Sequence, residues 1–123
     1  METRKLFKIL IPVAPNKDDI GVCDDRLTFV DERGGLYDPI FNNEYHNKFF
    51  DFVFDLVGGL TVCPRVSGQW KDSESGEIFR EQMIPVEIGV VFESQIDEIA
   101  AFAKTHYNQL EIFVAEIGTA RFY

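Results

Sequence analysis

The chain has 123 residues, enough for one domain and too few for two ordinary ones. Its 46% hydrophobic and 27% charged content fits a globular protein rather than a disordered tail, and a domain of this size needs no disulfide or metal to hold its core. Twelve Lys+Arg against 21 Asp+Glu leave a formal charge of −9, which argues against binding a nucleic-acid backbone or an anionic membrane surface.

The first strand is read at Leu6–Val13. There Phe7, Ile9, Ile11 and Val13 alternate with Leu6, Lys8, Leu10 and Pro12, the period-2 pattern of a half-buried strand. Lys8 and Pro12 interrupt this run and no small-residue cleavage site follows, so no secretory leader is expected. No apolar run approaches the ~20 residues of a membrane span. Cys23 and Cys63 lie 40 residues apart in no C-x-x-C arrangement, and are expected as free thiols in the cytoplasm of its own cell or of a host.

Ala14 to Asn43 is longer than an ordinary connection and reads as an insert. Within it, Arg26–Val30 has strand character, and Gly34-Gly35 can turn it into Leu36-Tyr37 as an added hairpin. The first helix follows, with Tyr45, Phe49, Phe52, Val53 and Leu56 on one stripe and Phe50, Phe54 and Val57 on a second. Asn42 or Asn43 can cap its start, and Gly58-Gly59 can end it.

Leu60–Lys71, carrying Pro64, reads as the second strand, and Glu77–Phe92 as the third. The turn-rich segment Asp72–Gly76 joins them. Pro85 predicts a bulge in the third strand, or a point where the neighbouring pairing has ended. The second helix carries Ile96, Ile99, Ala100, Ala103, Tyr107 and Leu110 on one stripe, with Ser94 as N-cap and Asp97 approximating a capping box. Glu111–Ile117 reads as the fourth strand, ended by Gly118 before a short tail.

The order strand, helix, strand, strand, helix, strand predicts an α+β fold. It is that of a ferredoxin-like βαββαβ sandwich, in which two helices cover one face of a four-stranded antiparallel sheet. The whole chain, 1–123, is then one domain, with 14–43 inserted between the first strand and the first helix. The expected strand order is 4-1-3-2, which puts Pro64 on an edge.

Gly58-Gly59-Leu60-Thr61, Gly68-Gln69-Trp70-Lys71-Asp72 and Gly76-Glu77-Ile78-Phe79-Arg80-Glu81 occur in succession. Together they resemble a pattern seen in small uncharacterised proteins of bacteria, plasmids and phages: GG-x-T, G-x-W-x-D and G-x-x-[YF]-x-E, followed by a helix and a Phe-Val-Glu-like run. Here that last run is Phe113-Val114-Ala115-Glu116, one residue looser. The resemblance spans about residues 44–123, leaves out the insert, and brings no established activity. It implies a mobile-element origin, which would suit an inhibitor of a host system.

For chemistry, the residues offer little that is specific. His46 and His106 have no ligand-spaced partner, so no metal is expected. Asp18, Asp19, Asp24, Asp25, Asp31 and Glu32 crowd the insert without the calcium-loop pattern, and read as a solvated acidic loop. Residues 1–43 carry six basic and eight acidic groups, or −2, and residues 44–123 carry six and thirteen, or −7. The acidity thus belongs chiefly to the second part of the chain. Cys63 lacks a base at any recognisable spacing and reads as a small core residue. No nucleotide-binding loop or nucleophile elbow is present, and no cofactor is expected.

The informative cluster is the hairpin of the second and third strands. Trp70 lies just before its turn with Gln69, Lys71, Arg80 and Glu81 nearby, as either a stabilising cross-strand aromatic or an interface anchor flanked by Arg80. The sheet face without helices is the second candidate, presenting Glu81, Met83 and Glu87 beside Lys8. These features favour a non-enzymatic binding protein, a homodimer, that engages a protein partner or sequesters a small ligand. Trp70, Arg80, Glu81, Gln69, Glu87 and Arg65 are the candidate binding residues. The alternative is a small cofactor-independent enzyme using Glu87 or Glu116 as general base, with Arg65, Arg80 or Arg121 holding an anionic substrate.

Overall fold

The computed structural model describes residues 2–21, 23–32 and 36–123. Its elements are β1 (Glu2–Pro12), a 3-10 turn (Lys17–Asp19), β2 (Leu27–Glu32), β3 (Leu36–Phe41), α1 (Asn43–Val57), β4 (Thr61–Val62), β5 (Val66–Lys71), β6 (Ile78–Val90), α2 (Glu93–His106) and β7 (Val114–Phe122). The fold is α+β. In the main sheet the strands run β4-β6-β1-β7, with β5 also on β6, and every pairing is antiparallel. β1 and β6 are therefore central, while β7 forms one edge and β4 with β5 the other.

Alternation on the two central strands decides which face is covered. Phe7, Ile9 and Ile11 of β1 and Val86, Ile88 and Val90 of β6 are all buried, and α1 and α2 lie over them. α1 contributes Phe49, Val53 and Val57 to that core, and α2 contributes Ile96, Ile99 and Ala103, with Tyr107 just past its end. Aromatic stacking joins the helices: Phe52 on Phe102 with centroids 4.2 Å apart, and Tyr45 on His106 at 3.9 Å.

The caps of α1 match the expectation. Asn42 Oδ1 accepts from Tyr45 N–H at 2.9 Å, and Gly58, at φ +83°, closes the C-terminus with its N–H on the Phe54 carbonyl. Arg4 strengthens that end by donating to the Val57 carbonyl, where the helix dipole favours a cation. Its side chain crosses Gly89, where a Cβ would stand 3.4 Å from Arg4 carbons.

Several boundaries differ from the sequence expectation, each for a physical reason. β1 begins at Glu2, not Leu6, because its first residues pair with a longer last strand. β7 runs Val114–Phe122 rather than 111–117, and the supposed tail pairs with Glu2–Lys5. Gly118 is not a stop; at φ +148° it sits at the bulge where the register shifts between Leu6 and Phe7. The second strand is two strands, broken at Cys63-Pro64-Arg65. α2 starts one residue before Ser94, and Gln95 rather than Asp97 caps it, its Oε1 accepting from the N–H groups of Val91 and Phe92. Leu110 is 93% exposed, because α2 ends at His106 and the chain turns at Asn108, φ +50°.

Pro85 resolves as the second of its two alternatives. β4 pairing ends at Val62↔Val86 and β5 pairing starts at Val66↔Met83, so Pro85 lies in the gap, where no N–H is needed. Its carbonyl accepts from Cys63 N–H at 2.9 Å.

The insert forms a hairpin, β2 on β3, from Leu27↔Phe41 to Glu32↔Leu36; the expected turn at Gly34-Gly35 lies outside the described residues. The hairpin is anchored in the main core by Leu27 and Phe41, 8% and 2% exposed. Phe41 packs on Tyr45 and Tyr107, both with centroids 5.2 Å away, and its N–H donates to the Val13 carbonyl at 3.0 Å. Removing the ring should therefore behave as a core deletion. Phe41→Ala is expected to cost about 3–5 kcal/mol in urea unfolding at constant m. A loss below about 1 kcal/mol would mean the insert is not part of the cooperative core.

Candidate functional site

The β5–β6 ribbon is built by the residues of the G-x-W-x-D and G-x-x-F-x-E runs. β1 pairs with β6 only as far as Pro12↔Met83, so from Ile78 to Gln82 the strand β6 has β5 as its ladder partner and the two project as a ribbon. Gly68 gives the Trp70 indole room: a Cβ there would lie 3.4 Å from Trp70 Cζ3. Asp72 Oδ1 accepts from the N–H groups of Glu74 (2.8 Å) and Ser75 (3.4 Å), and Gly76 takes φ +74°, which together close the turn. Those backbone N–H groups also hold the Asp72 carboxyl below its ordinary value.

Register sorts the candidate residues onto two faces. Trp70↔Phe79, Gly68↔Glu81 and Val66↔Met83 are directly opposite pairs on one side of the ribbon, and Gln69↔Arg80 belongs to the other. Trp70 is thus not flanked by Arg80 on a shared face. Its face partners are Phe79 and Glu81. Trp70 is 46% exposed and Phe79 38%. Desolvation pushes the half-buried Glu81 carboxyl up from its ordinary value.

The same face continues onto the uncovered side of the sheet. There Lys8 lies opposite Glu87 in register, and Cys63 Sγ is 3.8 Å from Glu87 Oε2. Burial first, then the Glu87 carboxylate, raise the Cys63 thiol pKa, the reverse of what a nucleophilic cysteine requires. Glu116 is remote from all of this, on β7, where it pairs at 3.7 Å with Lys5, which also bonds Glu93 at the start of α2. Arg121 lies on the same distant edge strand.

Between the insert and the ribbon runs a cleft of two lobes that sequence reading did not find. The larger, about 770 Å³, lies between the 3-10 turn, β3 and β6, and includes Lys17, Arg65, Arg80 and Glu81 in its walls. The smaller, about 430 Å³, lies between the start of α1 and the Val62–Arg65 segment. Ile40 and Arg65 line both. Of the six candidate binding residues, the cleft gathers Arg65, Arg80 and Glu81; Trp70, Gln69 and Glu87 are not among its lining. Its walls come from segments far apart in the chain, which leaves no local signal.

The acidic insert is organised by one arginine. The Arg26 guanidinium meets the Asp24 carboxylate through Nε at 2.8 Å and Nη2 at 2.5 Å, and Nη2 also donates to the Asp19 carbonyl at 2.8 Å. Arg26 holds the Asp24 carboxyl far below its ordinary range. No group of three or more metal-ligating side chains occurs among the described residues.

His46 is a buried polar group inside the smaller lobe's wall. It is 6% exposed, and its Nδ1 lies 2.7 Å from the Tyr107 hydroxyl. Burial, and then the nearby His106 and Arg65, depress its pKa to about 4. His106 is lowered too, by burial, though its bond to the Tyr45 carbonyl opposes the shift.

No family model, no curated protein and no solved structure matches the chain. No helix among the described residues is long and apolar enough to cross a membrane.

The histidines set an acid limit on stability. A histidine whose folded pKa is depressed binds its proton first in the unfolded chain, so stability is full above about pH 6.5 and falls as pH drops toward 4. From the His46 shift alone, about 3 kcal/mol is lost across that window. Urea unfolding at pH 7 and pH 4.5 should show most of this loss, and His46→Gln should show a smaller one, with His106 supplying the remainder. An equal pH slope in both proteins would contradict the assignment.

Proposed function

We propose that the chain is a non-enzymatic binding protein whose ferredoxin-like body presents the β5–β6 ribbon to a protein partner. The observation that carries this reading is the exposure of Trp70 and Phe79 as a cross-strand aromatic pair on a ribbon that extends past the sheet. Tryptophan is among the residues that dominate interface energetics, because a large rigid ring is desolvated at little entropic cost. The ribbon backbone does not need Trp70 for its fold, since the turn is closed by Asp72 and Gly76. Glu81 beside the indole offers the partner one partly desolvated acceptor.

We place self-association as a homodimer on the uncovered sheet face. Leu6, Leu10 and Met83 there surround Lys8 and Glu87, opposite charges that a twofold axis pairs between copies. An enzymatic role for Glu87 or Glu116 has less support, since neither lines the cleft and Glu116 is occupied by Lys5.

The test is affinity capture from native-host lysate with wild-type protein and Trp70→Ala, quantified by mass spectrometry. Trp70→Ala should lose the partner by more than about 30-fold, the equivalent of a ~2 kcal/mol hot spot, while keeping its melting temperature. Unchanged capture by a folded Trp70→Ala would overturn the reading. Sedimentation of the same wild-type sample should give a dimer mass at micromolar concentration; a monomer mass would remove the placement on the open face.

A further inference from the structure

The cleft between insert and ribbon has a chemistry of its own. Its larger lobe is walled by aliphatic groups, notably Ile20, Ile40 and Ile78, and its volume lies within the range of small-molecule sites. Its charge is opposite to that of the chain. Lys17, Arg65 and Arg80 against Glu77 and Glu81 give 3 − 2 = +1 in the lining, in a protein of formal charge −9. The ion pairs among the described residues use Arg4, Lys5 and Arg26, leaving Lys17, Arg65 and Arg80 without one.

We propose that this cleft binds a small amphipathic anion, a carboxylate, sulfonate or phosphate head on an apolar body, with the head between Arg65 and Arg80. Each guanidinium offers a forked donor set that matches such a head, and the body lies against Ile20, Ile40 and Ile78. Arg65 belongs to both lobes, so a longer ligand extends from it toward Phe50 and His46. There His46 Nδ1 lies 2.7 Å from the Tyr107 hydroxyl, and the His46 ring stacks on Phe50 with centroids 6.1 Å apart. The smaller lobe thus adds a neutral imidazole beside an aromatic ring. At ordinary ionic strength the chain's distant carboxylates are screened beyond about 8 Å, so the contacting cations decide the sign of the site.

The proposed head site rests on Arg65 and Arg80, and Arg80 faces the side of the ribbon away from Trp70; Phe79 and Glu81, from the Trp70 face, also line the cleft. The probe is 8-anilinonaphthalene-1-sulfonate, an anionic head on an aromatic body, titrated by fluorescence into the full chain. Saturable binding of one probe per chain is expected, with Arg65→Ala and Arg80→Ala each weakening it about tenfold or more, as loss of a charge-assisted bond implies. Both residues are exposed, so the variants should keep the wild-type melting temperature. Trp70→Ala and Arg121→Ala should leave the affinity unchanged. Decanoate should displace the probe and decanol should not. Absence of saturable binding, unchanged affinity in both arginine variants, or equal displacement by decanol would each overturn the proposal. Displacement by inorganic phosphate as effective as by decanoate would overturn the role of the apolar wall.

Discussion

Every other feature hangs on the alternation of side chains along β1 and β6. Phe7, Ile9 and Ile11 with Val86, Ile88 and Val90 are removed from water on one face, each contributing roughly 1.5–3 kcal/mol of transfer free energy. The two α-helices among the described residues, α1 and α2, cover that face. The opposite face, carrying Leu6, Lys8, Leu10, Met83 and Glu87, is left for solvent or a second copy. A one-residue slip in the β1–β6 register would exchange these sets, so the covered face fixes the register of the whole sheet.

From that centre two segments reach outward, the insert hairpin and the β5–β6 ribbon. The insert is held by Leu27 and Phe41 in the core and by Arg26, which pairs with Asp24 and Asp19. The ribbon departs where β1 ends, past the break at Cys63-Pro64-Arg65. That break also turns Arg65 to the cleft. On the ribbon, Trp70 and Arg80 lie on opposite faces, while Phe79 and Glu81 of the Trp70 face also line the cleft.

Much of this was legible in the sequence where the determinants are local. The stripes of both helices, the Asn42 cap and Gly58 stop, and the turn at Asp72–Gly76 depend on residues within a few positions of one another. Readings failed where a residue type has two uses. Gly118 reads as a terminator and acts as a bulge, since both need its positive φ. Ser94 is a better N-cap by type than its neighbours, yet Gln95 reaches the free N–H groups. Leu110 fits the α2 stripe by spacing, but the helix ends before it. Trp70 and Arg80 are close in register and read as one cluster; the period of two puts them on opposite faces. The cleft, whose walls come from residues as far apart as Lys17 and Gln109, had no pattern to betray it.

The central claim is that the aromatic face of the ribbon is where this protein meets another. Photo-crosslinking in native cells tests it most directly, with a benzophenone amino acid placed at position 79 and, as a control, at position 54. Phe54 is 57% exposed on α1, so both probes are accessible. The account predicts a discrete adduct of higher mass from position 79 and none from position 54. Equal adducts from both positions, or none from position 79, would contradict it.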